Sequence, residues 1–129
     1  MEDKLGAQPG LAGELKALGR WSLCCTYMAR QSPSRLAMSQ MAFFAAAALC
    51  DLAKKPQTMT ELLEMVGDVS GGSLKETYAV FLPPSAKRPG GLGWLVRRSC
   101  PFDGRRKLLC LSYRGRQVIE GVPKFLKAI

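Results

Sequence analysis

The sequence predicts a mainly α-helical fold closed by one small β-hairpin, and three observations carry that expectation. Apolar residues recur at spacings of three and four through much of the first eighty positions, the period of a buried helix face. Within that stretch two capping boxes, Thr58 with Glu61 and Ser73 with Glu76, each open a short helix. Beyond Pro83-Pro84 the period changes to that of two strands flanking the turn sequence Pro101-Phe102-Asp103-Gly104.

Each element follows from local chemistry. Residues 1–10, with Gly6, Pro9 and Gly10 among charges, read as a flexible tail. The first helix is expected over about 11–30, where Leu11, Leu15, Leu18, Trp21, Cys25 and Met28 form one face. Leu23, Cys24 and Tyr27 widen that face beyond the need of a surface helix, so residues 11–31 serve either as a dimerisation helix or as ordinary core. An alanine-rich helix over 36–53, with Phe43 and Phe44 as its bulky members, is expected to be central. Lys54-Lys55-Pro56 then brings positive charge and a breaker to its C-terminus.

The Thr58 capping box opens a helix carrying Leu62, Leu63, Met65 and Val66, stopped by Gly67. A second helix runs over 73–82, with Leu74, Tyr78 and Phe81 inward and Lys75, Glu76 and Ala79 outward. Two short capped helices joined by a Gly/Ser turn are a helix-turn-helix candidate, a pattern shared by many helical hairpins. A Pro/Gly-rich connection with Lys87 and Arg88 leads to strands at 94–98 and 107–111, where Asp103-Gly104 is a strong hairpin signal. From Tyr113 a last helix runs to Pro123, leaving an apolar tail of Phe125, Leu126 and Ile129.

With 129 residues, 47% of them hydrophobic, the chain can build one core but not two, so residues 11–129 read as a single domain. The net charge of +9 is unevenly placed. Residues 87–116 hold nine basic side chains against one acid and so account for eight of the nine net charges. Confined to one segment and interleaved with apolar strand residues, the charge reads as a docking surface for a polyanion, or else as a solvated basic loop.

The five cysteines lack metal-binding spacing and there is no histidine, so neither a zinc site nor any other metal or cofactor is expected. No cluster of nucleophile, acid and base is present, which argues against an enzyme; Cys24-Cys25 on a greasy helix reads as core. Cys100 and Cys110 in the hairpin are either structural thiols or redox sensors. The longest apolar run, over 41–50, is too short for a membrane span, and a soluble, cytoplasmic, reduced protein is expected with no membrane partner. No small-molecule effector is assigned by any of these motifs.

Helices, a helix-turn-helix, a basic hairpin and a final helix is the order of a winged helix-turn-helix domain. The residues that carry it are Gly93-Trp94-Leu95-Val96-Arg97, then Asp103-Gly104-Arg105-Arg106, then Leu111-Ser112-Tyr113-Arg114-Gly115. In order and spacing they resemble the MarR family of bacterial transcriptional regulators. The resemblance implies a winged-helix core over 36–120 and a homodimer on double-stranded DNA. It places a recognition helix at 73–82 in the major groove and a basic wing on the backbone or minor groove. It makes Asp103 and Arg105 the wing pair, the acid bracing the arginine; the turn chemistry of Asp103 alone is the other reading.

Candidate DNA contacts are then Ser70, Ser73, Lys75 and Thr77 from the recognition helix and its turn. Lys87, Arg88, Arg97, Arg98, Asp103, Arg105, Arg106 and Lys107 are the candidates from the connection and wing. The alternative is a winged-helix scaffold whose basic hairpin meets an acidic protein or RNA.

Overall fold

The computed structural model describes residues 9–33, 35–67 and 77–127, with side chains from residue 13 onward. In chain order the elements are α1 (Pro9–Gln31), α2 (Met38–Leu52), β1 (Gln57–Thr58) and α3 (Met59–Met65). Among the described residues a 3₁₀ turn (Ala79–Phe81), β2 (Leu95–Ser99), β3 (Lys107–Leu111) and α4 (Tyr113–Lys127) follow.

The helix ends are set by the chemistry read above. Thr58 caps α3 by accepting from the Glu61 N–H at 3.2 Å, and Glu61 Oε1 accepts the Thr58 N–H at 2.8 Å. Gly67 ends that segment with φ +79°. At the end of α2, Lys54 takes φ +64°, its N–H donating to the Asp51 carbonyl while Lys55 N–H reaches the Cys50 carbonyl. That is a Schellman closure with a lysine at the position where glycine is usual.

The three strands form an antiparallel sheet in the order β1-β3-β2, with Leu95 opposite Leu111 and Ser99 opposite Lys107. β1 leaves no signal in the sequence, because two residues are too few to show a period; Gln57 and Thr58 pair with Leu109 and Leu108. Beyond the end of β1 the edge of β3 is completed by a side chain: Asp51 Oδ2 accepts the Leu111 N–H at 2.9 Å.

The core is centred on α2. Phe43, Phe44, Phe81, Leu62, Trp94, Leu95 and Leu109 are essentially inaccessible. Phe44 lies 5.0 Å from Trp94 and 5.2 Å from Phe81, ring centre to ring centre. Such pairs add about 0.5–1.5 kcal/mol each beyond simple burial. Tyr78 joins through Phe43 at 4.6 Å.

Three expectations need correction. Ala79 is buried at 3% exposure rather than outward, because the chain tightens there into a 3₁₀ turn and leaves the α-helical facing pattern. α4 continues through Pro123 to Lys127 instead of stopping, its last turns packed on α1 by Tyr27 and Phe125 at 5.5 Å. That packing offsets the hydrogen bond that proline cannot donate. The Asp103-Gly104 pair makes no two-residue hairpin turn of the primed kind, since neither residue takes a positive φ.

The close approach of α4 to the sheet requires Gly115. A Cβ there would strike the Trp94 carbonyl, while Ser112 Oγ donates to the Gly93 carbonyl and accepts the Gly115 N–H at 2.9 Å. Gly93 itself has φ +71°. The two glycines and the serine of the motifs at 93–97 and 111–115 therefore form one joint between β2 and α4. Among the described residues no helix is long and apolar enough to cross a membrane.

Candidate nucleic-acid interface

The wing is built from β2, β3 and the link between them. Cys100 N–H donates to the Arg106 carbonyl at 2.9 Å, extending the ladder by one bond. Two consecutive tight turns then make the tip, the Asp103 N–H reaching the Cys100 carbonyl and the Arg106 N–H reaching the Asp103 carbonyl. Lys107 Nζ clips the base of the tip, donating to Ser99 Oγ at 2.7 Å and to the Gly104 carbonyl at 3.2 Å.

On this frame the basic side chains meet different fates. Arg97 and Arg98 are consecutive on β2, so they leave opposite faces of the strand; both are exposed and form no ion pair among the described residues. Asp103 both makes the turn and braces: its Oδ1 accepts the Arg105 N–H at 3.1 Å and lies 3.6 Å from Arg105 Nε. The Arg105 side chain is still 95% exposed, so its guanidinium keeps its donors open to solvent.

Arg106 turns the other way. Its Nη2 sits 2.8 and 2.9 Å from the two Glu61 oxygens. Glu61 is held below the ordinary glutamate range, first by the Thr58 N–H, then by the Thr58 hydroxyl and Arg106, against a partial desolvation that raises it. Lys107 is likewise spent on the hairpin. Of the wing candidates, Arg97, Arg98 and Arg105 are thus the side chains presented outward.

Lys87 is exposed and Arg88 half-buried in the 82–93 connection, where Ser85 and Arg88 exchange backbone hydrogen bonds at 3.0 Å each. The return of that connection is pinned by Leu92 N–H to the Val80 carbonyl and Gly93 N–H to the Leu82 carbonyl. Thr77 is exposed, and its carbonyl accepts from Gln40 Nε2 at 2.8 Å, which ties the chain entering the 3₁₀ turn to the start of α2. Ser70, Ser73 and Lys75 lie outside the described residues.

Two positioning residues escaped the sequence reading. The local pattern identifies Glu61 as a cap, but its pairing with Arg106 spans 45 positions and leaves no local trace. Asp51, 14% exposed, carries the edge of β3 and lies 3.9 Å from Arg116 Nη2. Nothing in a helix-terminal Asp signals that task. Cys110 is buried on β3, and its thiol is pushed up by desolvation and by Asp51 against the opposing pull of Arg98 and Arg116. A raised thiol is a poor nucleophile, which favours its reading as a structural residue.

No protein-family model matches the chain, and no curated protein does. Two solved structures are similar to it. The transcriptional repressor CouR bound to a 23-mer DNA duplex is 20% identical, with a TM-score of 0.49, over 96% of this chain and 76% of that one. The PcaV transcriptional regulator from Streptomyces coelicolor, in complex with its natural ligand, is 22% identical with a TM-score of 0.47, again over 96% and 76%.

Proposed function

We propose that this chain is a duplex-DNA-binding transcriptional regulator that docks through its wing. The observation that carries the reading is the outward set Arg97, Arg98 and Arg105 on a clamped hairpin, within a segment that holds eight of the nine net charges. Guanidinium groups at the end of a stiff two-stranded ribbon suit phosphate oxygens, because little further ordering is needed when they dock. Two neighbouring groups, Arg106 and Lys107, hold the ribbon in shape rather than reach outward. Ser70, Ser73, Lys75 and Thr77 are in this reading the contacts to the groove, with Lys87 and Arg88 as further backbone contacts.

The regulator works as a homodimer. Leu15, Leu18 and Trp21 recur along α1 at helical spacing and are 61%, 59% and 51% exposed, an apolar stripe that a second copy would cover. Paired wings would then address two half-sites of one duplex.

The test is a titration of random-sequence duplex at several salt concentrations, with single-stranded RNA and poly-glutamate as competitors. Binding should fall steeply with salt, with a log–log slope matching about five to six released counterions, three arginines from each of two wings. Preference for RNA or for the polypeptide would instead assign the hairpin to an acidic protein or RNA partner.

A further inference from the structure

Phe102 is the most exposed large apolar side chain among the described residues, at 97%. Single exposed apolar residues are ordinary on protein surfaces. The presentation of this one is not. It occupies the third position of the turn closed by Asp103 N–H on the Cys100 carbonyl, directly after Pro101, whose ring fixes the preceding φ. The second turn and the Lys107 clip stiffen the tip from the other side. The ring is therefore held off the body of the protein on a stiff support, three positions before the exposed Arg105 and on the hairpin whose strand β2 carries Arg97 and Arg98.

That combination selects its surroundings. Arginines draw the tip onto an anionic surface, yet a phenyl ring loses nothing there only if apolar area is also on offer. Duplex DNA presents both, phosphates outside and stacked base faces within. We propose that Phe102 is a wedge that enters the minor groove and inserts at a base step, while Arg97, Arg98 and Arg105 hold the flanking phosphates. The inference rests on the duplex-binding reading and adds to it a source of sequence preference needing no hydrogen bond to a base. Pyrimidine–purine steps unstack most easily, so sites with TA at the point of entry are favoured.

The experiment uses a short duplex with a central TA step, 2-aminopurine at that step and a fluorophore pair at its ends. A matched duplex with a stiff A-tract at the centre is the control. With the wild-type protein, 2-aminopurine emission rises as the step unstacks, the ends approach, and the TA duplex is preferred by about tenfold. Phe102→Ala should keep the salt slope, because no phosphate contact is lost, while losing the emission change, the bend and the preference. Phe102→Leu, still apolar, should retain part of all three. If Phe102→Ala bends and discriminates like the wild type, the wedge is wrong and salt-dependent binding still stands. If the wild type shows no salt-dependent binding to either duplex, the duplex reading and the wedge fall together.

Discussion

The Glu61 carboxylate and the Arg106 guanidinium, 45 positions apart, meet at 2.8 and 2.9 Å, and the same carboxylate caps the helix it stands on. One side chain thus joins α3 to the wing. The wing is thus tied to α3 by this pair as well as by the sheet.

Replacing Glu61 by Gln should therefore loosen the wing and lower stability by about 1 kcal/mol, most of it from the weakened cap, since half-exposed ion pairs contribute little. The pH dependence has a definite sign. The folded carboxyl lies below the ordinary value of 4.5, so its contribution is full above that value and is lost as pH falls through the lower folded value. Melting of wild type and Glu61→Gln should differ at neutral pH, begin to approach each other near 4.5, and converge once the pH has fallen through the lowered folded value. A gap that stayed constant with pH would mean that the charge of Glu61 plays no part.

Arg105 and Arg106 are neighbours with opposite orientations, and alanine substitution should separate them. Arg105→Ala should weaken binding to all duplexes by a similar factor and reduce the salt slope by about one unit per wing, about two for the dimer, with unchanged thermal stability. Arg106→Ala should lower the melting temperature and leave the slope nearly intact. Equal effects of the two on the slope would place both on phosphates.

Gly115→Ala should cost about 2–3 kcal/mol, because the added methyl meets the Trp94 carbonyl, a backbone atom that cannot swing aside. Chemical denaturation measures this directly. A near-neutral result would show that α4 can shift away from β2 without loss.

Lys54→Gly should stabilise the protein by about 0.5–1 kcal/mol. The lysine holds φ +64° at the helix end, a conformation that glycine reaches without a Cβ clash, and the gain is reduced by the extra freedom glycine has when unfolded. A loss of stability would indicate that the lysine side chain supports the α2 terminus by its charge.

The double substitution Leu18→Glu with Trp21→Glu should convert a dimer to a monomer in sedimentation at micromolar concentration, without lowering helix content. A wild-type chain that sediments as one subunit would remove the dimer reading and the paired half-sites with it.

Local chemistry by itself determines much of this protein. The capping box at Thr58 and Glu61, the stop at Gly67, the alanine-rich α2 with Phe43 and Phe44, and the two strands around residues 100–106 all follow from interactions within a few positions of the chain. The concentration of positive charge in residues 87–116 is likewise a property of order alone. What only the tertiary structure decided is how those charges are used. Arg105 and Arg106 are indistinguishable as letters, yet one is 95% exposed while the other is drawn onto Glu61. The same holds for Asp51 completing the edge of β3, for Ala79 turning inward, and for α4 running past Pro123 onto α1. Each of these depends on a partner tens of residues away, and the free energy of such a contact exists only once the chain has closed on itself.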